Sequence, residues 1–129
     1  MRAIRTGLVV LLATIIAIAS LLTADAAHHD TIKLTFLGTG APRPSHVRYG
    51  PAILLEAGKH QFLIDAGSGM RERLFQAGGF ELLTDIDHIL LTHLHFDHTI
   101  SVPGLWLTGW LFGRKTSMTV YGPVGTSAM

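Results

Sequence analysis

The stretch "HLHFDH" places His93, His95, Asp97 and His98 within six positions of a 129-residue chain, directly after the apolar run "HILL". Burying imidazoles and carboxylates is costly unless they are paired or bound to a metal. Neutral imidazole and carboxylate are the ligand set of zinc, and also of iron or manganese. In an extended segment, residues i and i+2 project to the same side. His93 and His95 are therefore spaced to chelate one ion, with Leu94 turned into the core. Asp97 and His98 follow a turn and suit a second ion beside the first. The chain has no cysteine, and structural zinc sites typically close four ligands that include cysteine. A cysteine-free set reads instead as an open, catalytic site. His46, His60 and His88 stand alone in the sequence and are read as surface residues.

The elements that must position this row follow from the hydrophobic pattern. "TIKLTFLG" alternates, and predicts a strand with Ile32, Leu34 and Phe36 on a buried face. Gly38 to Pro51, with three prolines and several glycines, is a loop. "AILLEAGKHQFLIDAG" predicts two strands joined at Gly58-Lys59. "SGMRERLFQAGG" predicts a helix with Ser68 as N-cap, ending at Gly78-Gly79. "DIDHILLT" is a short apolar strand, the type covered on both faces. "TISVPGLWLTGWLFG" predicts a helical turn or two, interrupted at Pro103 and Gly104, and "SMTVYGP" a last strand. The class is α+β or a layered α/β.

These stretches resemble one family. "HLHFDH" is the His-x-His-x-Asp-His motif of the metallo-β-lactamase fold hydrolases, and "TFLGTGAPRP", "FLIDAG" and "VYGPVGT" are similar to their ribonuclease Z and arylsulfatase-like branch. The resemblance runs from Ile32 to Thr126. It implies an αββα sandwich, of which this chain covers about the N-terminal half, residues 27–129. It also implies a dinuclear zinc centre (manganese or iron as substitutes) that cleaves phosphodiester or sulfate ester bonds. His93 and His95 would bind the first ion and Asp97 and His98 the second. Asp97 would also orient the nucleophile or accept its proton, and Asp65 would support the metal loop by hydrogen bonds. The family's remaining ligands come from a second half, whereas after His98 this sequence has no histidine, aspartate or glutamate. The expectation is thus a truncated chain, inactive by itself. The alternatives are a non-catalytic exported metal-binding protein and a product without function.

Composition bears on partners. The formal net charge is +1, and nucleic-acid binding normally shows a strong basic patch, so a small-molecule ester is the expected substrate and nucleic acid is not expected. Ser101, where ribonuclease Z-like members generally have glycine, and Phe96 point away from tRNA in the same sense. An open half-sandwich also suggests self-association. At the N-terminus, Arg2 and Arg5 precede the apolar run Leu8 to Leu22, and Ala24-Asp25-Ala26 follows. This reads as a signal peptide over residues 1–26, giving a periplasmic or secreted protein with no span after cleavage. The rival is an uncleaved anchor, but the run is shorter than the roughly 20 residues a spanning helix needs. Mass spectrometry of the exported protein is expected to find Ala27 as its first residue; retention of Met1 would overturn the cleavage.

Overall fold

The computed structural model describes residues 31–129; the signal-peptide reading lies outside them. Five strands form one mixed sheet in chain order: β1 (Ile32–Gly38), β2 (Ala52–Ala57), β3 (His60–Ile64), β4 (His88–Leu90) and β5 (Thr119–Tyr121). β1, β2 and β3 are successively antiparallel, while β4 pairs parallel to β3 and β5 parallel to β4. The β2–β3 hairpin turns at Gly58, as expected, with a positive φ of 59°. Helix α1 (Met70–Asp85) crosses from β3 to β4, and α2 (Phe96–Thr99) and α3 (Val102–Leu111) cross from β4 to β5. A short 3₁₀ turn, Thr126–Ala128, follows β5. The layered α/β class is as expected, and no described helix is long and apolar enough to cross a membrane.

One face of the sheet is packed. Leu54, Leu63 and Ile89 stand opposite one another across β2, β3 and β4 and join Met70, Leu74, Leu83 and Leu105 from the helices in a single buried cluster. The expected inward face of β1 is the other one. Ile32, Leu34 and Phe36 are 74%, 53% and 64% exposed. They lie opposite Ala57, Leu55 and Ile53 of β2, on the side away from Leu54. Alternation was read correctly, but it cannot tell which of two apolar faces the helices cover.

The helices differ from expectation at their glycines and proline. Gly69, not Ser68, is the N-cap of α1, in the left-handed region. Gly78 and Gly79 take non-helical angles, but the helix kinks there and resumes to Asp85. Phe80, beyond the kink, packs on Phe75 at 4.9 Å and on Phe112 at 4.3 Å between ring centroids, and this packing favours continuation. Pro103 does not interrupt α3: it sits in the first turn, where a missing N–H leaves no bond unmade.

Arg114 locks α1 to the chain after α3. Its guanidinium donates to the carbonyl oxygens of Leu83, at 2.8 Å, and Ile86, groups that a helix end leaves without intrahelical partners. Burial lowers its pKa, opposed by the carboxylates of Asp87 and Asp85. Removing the charged donor strands these carbonyls, so Arg114→Ala is expected to lose about 2–3 kcal/mol of stability in urea unfolding. Arg114→Lys should recover only part, because an ammonium lacks the planar fork that reaches both oxygens. An unchanged midpoint in Arg114→Ala would remove the lock.

Candidate metal centre

The strand directions bring the candidate residues together. β1, β3, β4 and β5 run the same way, so the loops that follow them emerge at one edge of the sheet, the edge where α/β sheets bind ligands. Three of these loops are stacked by backbone hydrogen bonds. Gly67 N–H donates to Pro51 O at 2.9 Å and Gly50 N–H to Ser68 O at 2.9 Å; Ala66 N–H donates to His98 O at 2.7 Å. The stacking requires bare backbone. A Cβ on Gly67 would lie 2.5 Å from Gly50 C and 2.7 Å from Asp97 O, and one on Gly38 would strike the Gly50 carbonyl. These approaches explain "GTG" and "DAG" without a dinucleotide.

Asp65 ends β3 and organises the next loop. It is 6% exposed and has the only positive φ, 57°, of any non-glycine among the described residues. Its N–H donates to Leu90 O at 2.9 Å. Its carboxylate accepts three hydrogens: Thr92 N–H on Oδ1 at 2.8 Å, the Thr92 hydroxyl on Oδ2 at 2.8 Å, and His98 Nδ1–H on Oδ2 at 2.8 Å. These bonds join Asp65 to the loop between Thr92 and His98, and to the His98 ring directly.

The four-residue row folds as an extended piece and then one helical turn. His95 has extended angles at the N-cap of α2, and Asp97 and His98 lie within that turn. Leu94 packs against the core as expected. The rings gather: His93 lies 4.7 Å from His95 and 4.0 Å from His98, centroid to centroid. His98 Nε2 stands 3.7 Å from Asp97 Oδ2, near the roughly 3.3 Å that separates two donors each about 2.0–2.1 Å from a tetrahedral ion. The donor types fit zinc. However, among the described residues no three such side chains already converge on one point that could hold an ion; the rings lie against one another. His46 and His60 are exposed, and His88 stacks on Phe62 at 5.6 Å, so none of the three joins the cluster.

The sequence does not reveal Thr92 as a contributor, nor the structural part of Ser101. Thr92 bonds Asp65 and also stands 3.0 Å from His93 Nδ1 through its hydroxyl; a hydroxyl directly before the first histidine was the available signal. Ser101 ties the end of α2 to the loop after β3, its hydroxyl donating to Gly67 O at 2.8 Å and its N–H to Ala66 O at 2.9 Å. These bonds give Ser101 a part in the scaffold.

Residues 32–123 match the family model described as Anti-Pycsar protein Apyc1. The chain belongs to that family. It is also similar to the ribonuclease Z of Bradyrhizobium diazoefficiens, 47% identical over 94 residues, 72% of this chain and 30% of that protein. The short form of human tRNase Z superposes with a TM-score of 0.65 at 36% identity, over 76% of this chain and 36% of that one. The metallo-β-lactamase fold protein YhfI from Bacillus subtilis gives 0.63 at 26% identity, over 76% and 39%. The Apyc1-family chain thus has part of a metallo-β-lactamase fold and is ribonuclease Z-like. It spans about a third of the length of the curated relatives it matches.

These relatives overturn one expectation. Nucleic acid was set aside as a partner, yet the similar proteins are named as ribonucleases and a tRNase. The physical reason is that a formal charge of +1 averages over the chain, whereas contacts to a nucleic acid are local.

The weight placed on Asp65 is measurable. Asp65→Ala puts a Cβ-only residue in the left-handed region and strands the donors of Thr92 and His98, an expected loss of roughly 3–5 kcal/mol. Asp65→Asn, which tolerates that backbone, should lose distinctly less. Equal urea midpoints for the two variants would show that the backbone angle is not what Asp65 provides.

Proposed function

We propose that this chain supplies the His-x-His-x-Asp-His part of a dinuclear zinc centre in a hydrolase of phosphodiesters. The observation that carries the reading is the bond from His98 Nδ1 to Asp65, 2.8 Å, which leaves His98 Nε2 bare and facing Asp97 Oδ2. Metal-ligating histidines characteristically donate their other ring N–H to a carboxylate or carbonyl. In this reading His93 and His95 hold one ion and Asp97 and His98 the other, with manganese or iron as substitutes. Zinc, when bound, supplies Lewis acidity and a hydroxide nucleophile near neutral pH. Asp97 would orient the attacking water or accept the proton it loses; Asp65 and the stacked loops keep the donors in place. The names of the relatives favour a phosphodiester over a sulfate ester as the substrate. Export rests on Arg2, Arg5 and the apolar run after them.

Each zinc takes about four donors, so four side chains leave two ions short of ligands. The 129-residue chain by itself is expected to bind zinc but not to turn over aryl phosphodiesters. In a competition titration His95→Ala and Asp97→Ala should weaken zinc binding at least about 10-fold, while His46→Ala and His60→Ala leave it unchanged. Equal affinity in all four would discard the ligand assignment. Chelator-sensitive turnover of an aryl phosphodiester, lost in Asp97→Ala, would show that self-association completes the centre; turnover of an aryl sulfate alone would replace the substrate class.

A further inference from the structure

We infer that Thr92 is a positioning residue that carries the charge of Asp65 to His93 and fixes which nitrogen His93 offers to a metal; this rests on the ligand reading above. The argument is one of counting hydrogens. An ionised carboxylate only accepts, and a threonine hydroxyl has one hydrogen to give and two lone pairs to receive. The Thr92 hydroxyl stands 2.8 and 3.1 Å from the two oxygens of Asp65, so its single hydrogen is committed there. Towards His93 Nδ1, 3.0 Å away, it can only accept. His93 Nδ1 must then carry the hydrogen, and the neutral ring is left with a bare Nε2.

The same carboxylate acts on His98 without a relay, through Nδ1 at 2.8 Å. One buried anion therefore sets the tautomers of two histidines, one directly and one through a hydroxyl, and presents Nε2 from both. The Thr92 N–H bond to Asp65 Oδ1, 2.8 Å, holds the relay in register, since it fixes the backbone from which the hydroxyl projects. Nothing comparable bonds His95 among the described residues. His93 thus gains a preset donor that the motif spacing alone does not provide.

Three variants of the full chain test this. In Thr92→Val the side chain keeps its shape and loses the hydroxyl; in Thr92→Ser the hydroxyl remains. In Asp65→Asn an amide N–H₂ replaces Oδ2 if the amide oxygen keeps the Thr92 N–H bond. It then donates to the Thr92 hydroxyl, which is freed to donate to His93 Nδ1. Long-range nitrogen–proton NMR of the metal-free chain at about pH 8, well above the ordinary imidazole pKa of about 6.5, reads each tautomer. The wild type and Thr92→Ser should show His93 as the Nδ1–H form, Thr92→Val a mixture, and Asp65→Asn a shift of both His93 and His98 towards Nε2–H. Zinc affinity should fall 10- to 100-fold in Thr92→Val and be restored in Thr92→Ser. An unaltered His93 tautomer in Thr92→Val, or a wild-type His93 in the Nε2–H form, overturns the relay. Should Thr92→Val fail to fold, Asp65→Asn decides, because an unchanged His93 there overturns it equally. Absence of zinc binding by the wild type, with the tautomers as expected, would overturn the ligand reading and leave the relay standing.

Discussion

A buried carboxylate is tolerable only when hydrogen bonds replace the water it has lost, and the Asp65 side chain draws its replacements from a single loop. A backbone N–H, a hydroxyl and an imidazole, all between Thr92 and His98, converge on its two oxygens. The anion cannot be satisfied unless that loop adopts its observed path, and the loop has no comparable reason to adopt it without the anion. The left-handed backbone of Asp65 belongs to the same constraint. It turns the chain out of β3 so that the carboxylate stays in the sheet edge while Ala66 and Gly67 pass on to α1. Strain of this kind persists where the surroundings over-determine it, and here three hydrogen bonds from Thr92 and His98 do.

The rest of the architecture serves that junction. Parallel pairing of β3 with β4 places Ile64 beside Leu90, so Asp65 and Leu91, the next residues along, leave the sheet side by side. The 27-residue separation of Asp65 from Thr92 is thereby closed by α1, which packs Met70 and Leu74 into the core on the way. The glycines at 38, 50 and 67 let the β1–β2 loop lie against this pair. Ser101 and Ala66 close the far side of the loop. The row from His93 to His98, an extended piece followed by one helical turn, is thereby held by backbone and side-chain bonds on both sides, with little freedom to drift.

Much of this was legible in residue types. His93, His95, Asp97 and His98 stand out because no ordinary fold requirement groups them so. The hairpin at Gly58, the loop after Gly38 and the strand before the motif are local features with local signals. Three things were not legible, each for a reason of range. Which face of β1 meets the helices depends on where α1 and α3 lie, and both faces of the neighbouring β2 are apolar. The continuation of α1 past Gly78-Gly79 is favoured by Phe80 finding Phe75 and Phe112, one of them more than thirty positions on. Thr92 looks like any threonine until Asp65 is known to lie beneath it.

The sheet order follows the chain order from β1 to β5, and this has a kinetic meaning. Each strand emerging from synthesis finds its neighbour already made, beginning with a hairpin, among the fastest of the elementary events at about 1–10 μs. The later closures, β3 to β4 and β4 to β5, span a helix each, and doubling such a loop adds only about 0.6 kcal/mol of entropy. No strand has to be inserted between two others. The sheet can therefore grow by one edge at a time, and the carboxylate of Asp65 finds its partners only when the loop after β4 closes over it.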